Sequence, residues 1–271
     1  MPSSEDFRVN IERFSGFADD YDRYRPGPPA TLADLLSLYS RRPALETVVD
    51  LGSGTGLSTR YWADKAAAVI GIEPTADMRT RAIGETKAPN VTFRDALSHR
   101  TGLDEQSVDL VVCGQSLHWM EPQPTFVEAA RILRPGGVFA AYDYDWPPST
   151  GAWQADQAFD DCINASKRLE SDLQASVGLK HFDKSGHLER MGSSGCFLYT
   201  RELCEHHNDT GNAERLIGLL LSQGHIMTLL KRGIAESALG IDRLRLIAAQ
   251  TLGAGARRWH WSARVRLGIV P

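Results

Sequence analysis

At 271 residues the chain is long enough for one large domain or two small ones, and 42% hydrophobic with 24% charged residues gives it the material for a sizeable core. Its 30 basic and 34 acidic residues leave a formal net charge of −4, which argues against a nucleic-acid partner; Arg257, Arg258, Arg264 and Arg266 read as a solvated strand face. No apolar run approaches the length of a membrane span, the stretch 216–221 being far too short, so no membrane partner is expected.

The first residues, Met1-Pro2-Ser3-Ser4-Glu5-Asp6, are acidic and lack a signal-peptide hydrophobic region, which predicts a cytoplasmic location. Thr31-Leu32-Ala33-Asp34 resembles a capping box, and Leu32, Leu35, Leu36 and Tyr39 follow at helical spacing. A strand at 47–50 leads through a glycine loop into a helix near 58–65. A second strand at 68–73 leads into a helix near 76–85, and strands at 91–94 and 108–113 come next. A helix near 125–133 stops at Arg134-Pro135-Gly136-Gly137, where proline cannot continue the helix and glycine accepts a left-handed turn. The fifth strand is 138–143. This alternation predicts an α/β fold with a mostly parallel sheet and helices on both faces.

After Asp145-Trp146-Pro147-Pro148-Ser149 the rhythm changes. Residues 152–190 read as mostly helical, followed by a strand near 196–203, a helical region at 213–231 and a last strand near 259–269, where Trp259 and Trp261 alternate onto one face. The expected organisation is a single domain over 1–271, with a cap segment at 1–30 and a helical substrate-lid insertion at 146–195 covering the open edge of the sheet. Cys113, Cys162, Cys196 and Cys204 show no CxxC pairing and read as free thiols in a reducing compartment.

The chemistry concentrates in Asp50-Leu51-Gly52-Ser53-Gly54-Thr55-Gly56, between a strand and a helix. Glycine there permits positive φ and close approach of a ligand to the backbone, at the strand ends where open α/β sheets bind ligands. Glu73 ends the second strand seventeen positions after Gly56, placed to accept both hydroxyls of an adenosine ribose. The dinucleotide fingerprint GxGxxG fails, because position 57 is Leu57, and a phosphate-binding P-loop fails for want of a Gly-Lys-Ser/Thr. A phosphate-free adenosine cofactor remains. S-adenosylmethionine (SAM) carries a sulfonium and an ammonium, which suit a nearby acid such as Asp50 better than a phosphate would.

These residues resemble the class I SAM-dependent methyltransferases. Val49 to Gly56 looks like the first motif of the small-molecule "type 11" group. Gly71-Ile72-Glu73-Pro74 with Asp77-Met78 is similar to its second motif, and Arg94-Asp95-Ala96 to its adenine-binding turn. Gln115-Ser116-Leu117-His118-Trp119 and Tyr21-Asp22-Arg23-Tyr24-Arg25-Pro26 resemble the trans-aconitate methyltransferase-like branch, Leu133 to Gly137 the approach to strand five, and Arg264 to Gly268 the last strand. The resemblance implies a Rossmann-like, seven-stranded sheet whose last strand is antiparallel. It implies that Gly52, Ser53 and Gly54, in the loop closed by Gly56, face the methionine part of SAM or its product S-adenosylhomocysteine, that Glu73 holds the ribose, and that Met78, Asp95 and Ala96 contact the adenine. Gln115 is implied beside the methionine ammonium, with Tyr21 and Arg25 closing over the site and Arg25 on the carboxylate.

Methyl transfer by in-line displacement asks the protein mainly for alignment and water exclusion. His118, after strand four, is the candidate general base, and shaping of the pocket by His118 and Trp119 is the alternative. Asp143, Tyr144, Asp145 and Trp146 end strand five and are candidates, with Trp119, to contact the small-molecule methyl acceptor. His181 and His187 fall in the insertion as further candidates. His206-His207 point to opposite faces of a strand, no HExxH or CxxC accompanies them, and no metal is expected. The reading leaves room for a homodimer. Its alternatives are a nicotinamide-dependent oxidoreductase and a SAM-binding protein without catalysis.

Overall fold

Apolar runs covered on both faces become inner strands, and the alternating runs of the last third become a two-stranded antiparallel extension of the same sheet. A computed structural model describes residues 8–13, 22–42, 44–173 and 178–271. The sheet comprises β1 (Leu45–Leu51), β2 (Ala66–Ile72), β3 (Val91–Arg94), β4 (Val108–Gly114), β5 (Leu133–Tyr144), β6 (Tyr199–Gly211) and β7 (Arg257–Ile269). Its order is β3-β2-β1-β4-β5-β7-β6, with β7 antiparallel to both neighbours and the other pairings parallel. The helices are α1 (Arg8–Arg13), α2 (Leu32–Ser40), α3 (Leu57–Tyr61), α4 (Ala76–Glu85), α5 (Pro122–Ile132), α6 (Trp153–Asp172), α7 (His187–Ser193), α8 (Ala213–Leu221), α9 (Gly224–Lys231) and α10 (Ile241–Thr251). This is the expected Rossmann-like fold with its antiparallel last strand.

Both faces of the central strands are sealed. On one face Leu32 and Leu36 of α2 meet Val48, Leu110 and Val112; on the other Phe126, Ala129 and Ile132 of α5 meet Val49, Val111 and Phe139. A third cluster joins α6, α8, α9 and α10 to Tyr144, Trp259, Trp261 and Ala263. The two tryptophans are completely buried on one face of β7, as their alternation predicts. Within 146–195, helix α6 packs with α9 and α10 against the β5–β7 part of the sheet, and α7 packs against the edge strand β6. β5 also begins earlier than its apolar run: Leu133 pairs with Val108, and Gly136 at φ 73 donates its N–H to Val270 O.

β1 lies between β2 and β4, so the order reverses there and a crevice opens beyond the strand C-termini. Residues 22–30 cross that crevice as a strap. Asp22 binds Arg60 at 2.8 Å, the Tyr24 ring lies over Gly218 of α8, and the Tyr144 hydroxyl donates to Gly27 O.

Candidate functional site

The crevice is an open cleft of ≈ 1210 Å³. Its floor is the glycine loop after β1. Gly52 sits at φ 67, and a Cβ there would lie 2.6 Å from Met120 Cε and 2.7 Å from Ser116 Cβ, so both conformation and space demand glycine. The loop amides are turned inward. Gly52 and Ser53 N–H donate to Ile72 O at 2.8 and 3.1 Å, Gly56 N–H donates to Ser53 O at 2.9 Å, and Gly54 N–H donates to Glu73 Oε2 at 2.9 Å. Glu73 Oε1 accepts from Thr75 N–H at 2.8 Å. The carboxylate is thus fixed at the tip of β2, buried yet lining the cleft, and burial raises its pKa above the usual carboxylate range.

Arg60 does not serve the loop as an anion receptor; its guanidinium is committed to Asp22 and to Thr55 O at 2.7 Å. Beyond Glu73 the wall is Met78, Leu97, Ser98 and His99. The opposite end is Asn10, Ile11, Pro26, Trp119, Tyr142 and Tyr144, with Arg25 the one Lys or Arg among the described lining residues. Arg25 is oriented from outside the cleft: Nε donates to Ser222 Oγ at 2.9 Å, Nη2 to Ser222 O at 2.8 Å, and its guanidinium carbon lies 4.8 Å from the centre of a Trp146 ring.

Behind the cleft, at the end of β5, lies a buried charge network. Asp143 Oδ1 is 2.9 Å from Lys184 Nζ and Asp143 Oδ2 is 3.1 Å from Arg266 Nη1; Arg266 Nε in turn lies 2.7 Å from Glu202 Oε2. Burial pushes the Asp143 pKa up, but Lys184 and His118 outweigh it and hold the carboxyl far below its usual range. His118 Nδ1 is 3.5 Å from Asp143 Oδ1, and burial, then the Lys184 charge, lower its pKa to about 3, so the ring is neutral. The ligating atoms of His118, Asp143 and His187 lie within 4.8 Å of one another. Their chemistry suits ion pairs better than a divalent cation. The carboxylate already faces two cations, and His187 Nδ1 is 2.9 Å from Arg190 Nη2, a group that only donates.

Of the residues singled out in the sequence, Arg25, Gly52, Ser53, Gly54, Glu73, Met78, Gln115, Trp119 and Tyr144 line the cleft together. The others do not. Asp50 is fully buried beneath the loop, where Oδ2 accepts from Thr59 Oγ1 at 2.7 Å, and burial raises its pKa to about 7. Gly56, at φ 84, turns the chain into α3. The Asp95 carboxylate is mostly exposed and paired with Arg79 at 2.9 Å, and Ala96 packs on the α5 side of the core. His118 and Asp143 belong to the network behind the cleft. Asp145 pairs with Arg264 at 3.0 Å, and Trp146 packs on Trp261 beneath Arg25. His181 stacks edge-on against His118 and Trp119, while His206 meets Ser262 and His207 faces Tyr144. Tyr21 lies outside the described residues.

Sequence reasoning missed Asn10, Ser98, His99 and Lys184, and it placed Arg266 on a solvated face, whereas that side chain is buried against Asp143 and Glu202. A charged residue within the apolar run Val265-Arg266-Leu267 is the local signal for Arg266; Lys184, in a stretch without a motif, carries none.

Residues 49–141 match a family described as a methyltransferase domain. An uncharacterised methyltransferase of Mycobacterium tuberculosis is 33% identical over 125 residues, which are 46% of this chain and 49% of that protein. A Saccharomyces cerevisiae protein provisionally designated an S-adenosylmethionine-dependent methyltransferase is 28% identical over 152 residues, covering 54% of this chain and 50% of its own. The chain spans about half the length of the curated relatives it matches. In fold it is similar to an Anaeromyxobacter dehalogenans protein with a provisional type II methyltransferase designation, at TM-score 0.65 and 22% identity over 91% of this chain and 98% of that one.

Proposed function

We propose that the protein is a SAM-dependent methyltransferase that modifies an oxygen, nitrogen or carbon atom of a small molecule. The observation that carries this reading is where the glycine-loop amides go. A pyrophosphate at this position needs free backbone N–H groups and a cation. Here those amides donate to Ile72, Ser53 and Glu73, and the nearby Arg60 is paired with Asp22, so the cleft offers an acid where a phosphate would want donors. That arrangement fits an adenosine carrying positive charge and no phosphate. The match of residues 49–141 to the methyltransferase domain supports the same cofactor.

When bound, SAM supplies an already activated methyl group on its sulfonium. Glu73, held by two backbone N–H groups, would accept from both ribose hydroxyls, while Met78, Leu97 and His99 would pack the adenine. Gly52 to Gly54 and Gly114 bring backbone close to the methionine portion. Trp119, Tyr142 and Tyr144 would align the acceptor and exclude water, a contribution that can reach about 7–11 kcal/mol without a strong base. His118, off the cleft lining and with a pKa near 3, is a poor proton acceptor at neutral pH. Its part in this reading is to support the turn that carries Trp119.

Titration calorimetry with SAM, S-adenosylhomocysteine and NAD(P) tests the proposal. We expect both sulfur ligands to bind, NAD(P) not to, and Glu73→Ala to weaken S-adenosylhomocysteine more than tenfold, the scale of lost hydrogen bonds to a buried charge. Binding of NAD(P) alone would favour the oxidoreductase, and binding without turnover on any acceptor a non-catalytic role.

A further inference from the structure

The segment 178–186 between α6 and α7 is bound to the cleft by polar contacts. Lys180 and Asn10 of α1 exchange two hydrogen bonds, Asn10 Nδ2 to Lys180 O at 2.7 Å and Lys180 N–H to Asn10 Oδ1 at 2.9 Å. Phe182 N–H donates to His118 O at 2.8 Å, and Lys180 Nζ reaches Glu121 Oε1 at 3.1 Å. The segment thereby lies over the short 3-10 turn Leu117–Trp119 that follows β4. The Lys184 ammonium touches Asp143 Oδ1 at 2.9 Å and Gln115 Oε1 at 3.0 Å.

The second contact fixes a chemical choice. An ammonium only donates, so the atom of Gln115 that faces it must be the carbonyl oxygen. Gln115 stands at φ 57, anchored by its own N–H to Tyr142 O at 2.9 Å, and it lines the cleft. With the backbone anchored, the amide oxygen is turned to accept from Lys184. A ligand ammonium on the second lone pair of that oxygen would stand beside the protein's own ammonium, and the two like charges would repel. This counts against the sequence-based expectation that Gln115 receives the methionine ammonium.

We infer that Lys184 is a positioning residue of the cleft, one that bridges the buried Asp143 to Gln115 and so fixes both the Gln115 amide and the segment 178–186 packed against the cleft residues Asn10 and Gln115. The inference rests on the cleft being the SAM site. Asp143 provides the anchor: it is itself held by Arg266, which is braced by Glu202. The contact between the residue that follows β4 and the 178–186 segment therefore has its base in β5, β6 and β7.

A double-mutant cycle tests it. In Lys184→Met the bridge is lost, and in Gln115→Asn the amide is withdrawn by one methylene while the left-handed backbone stays tolerable. We expect each single change to weaken S-adenosylhomocysteine about fivefold, the scale of one ordinary net hydrogen bond, and the double variant to bind no more weakly than the worse single. Lys184→Arg should restore most of the affinity. Losses that multiply, or an unchanged affinity in Lys184→Met, overturn the inference. Amide hydrogen exchange of the free protein gives a readout independent of the cofactor. Residues 115–119 and 178–186 should exchange faster in Lys184→Met and regain protection in Lys184→Arg. If wild type binds no S-adenosylhomocysteine, the SAM reading fails by itself, and unaltered exchange in Lys184→Met would then refute the positioning role separately.

Discussion

Asp50 illustrates what one side chain costs when it is placed for geometry. It lies under the glycine loop with no exposed surface and receives the Thr59 hydroxyl at the start of α3. Burial raises its pKa from 3.8 to about 7, so the folded state favours the protonated carboxyl. A raised folded pKa contributes stability that is fully present below the unfolded value near 4 and is lost as pH climbs through about 7, on the order of 4 kcal/mol across that window. His118 and His187, lowered by burial to about 3 and about 4, run the other way: their contribution is lost as pH falls below 6.5. The wild-type slope is the difference of these terms, but Asp50→Asn isolates one of them. Urea unfolding at pH 4 and pH 8 should show the Asn variant gaining relative to wild type as pH rises; a constant offset would refute the assignment. The sequence made the positions of Glu73, Gly52 and Met78 readable, because local spacing from a strand end determines them. It did not reveal that Asp95 turns to Arg79, or that Asp143 is enclosed by Lys184 and Arg266, since those partners come from other elements.

Elements were readable to the extent that burial imposes a pattern. β1, β2, β4 and β5, with apolar side chains on both faces, announce themselves as continuous runs. β6 extends to Gly211, well beyond the expected 203, because an edge strand alternates polar residues such as Glu205, His207 and Asp209 that disguise it. α10 buries only Ile241, Leu244 and Ala248, too narrow a stripe to separate from a loop. Close approaches between elements are equally silent. Gly218 in α8 would ordinarily gain about 1 kcal/mol from replacement by alanine. Here a Cβ would meet the base of the Tyr24 ring, so the strap of residues 22–30 would have to lift from α8. Gly218→Ala should therefore destabilise by roughly 1–3 kcal/mol, the usual range for overpacking, and weaken cofactor binding through the Arg25–Ser222 contact. A rise in melting temperature would show that the strap yields freely.

At the scale of the whole molecule, ligand binding and folding share one free energy. The cleft draws on α1 and the strap before β1, the loops after β1, β2, β3 and β4, the end of β5, and, through Lys184, the segment before α7. A cofactor held there bridges parts of the chain that unfolding would separate, and the unfolded chain has no such site. At a free concentration one hundred times its dissociation constant, such a ligand stabilises by about 2.7 kcal/mol. For a chain of this size each kcal/mol moves the midpoint by roughly 2–4 °C. S-adenosylhomocysteine at saturation should thus raise the thermal midpoint by about 5–10 °C, with a shift that grows with the logarithm of its concentration, while NAD(P) leaves it unchanged. The Glu73→Ala protein supplies the control. Its own midpoint falls, because the N–H groups of Gly54 and Thr75 lose their acceptor. At the concentration that saturates wild type, its ligand-induced shift should be smaller than that of wild type. An equal shift in both proteins would place the ligand somewhere other than the tips of β1 and β2.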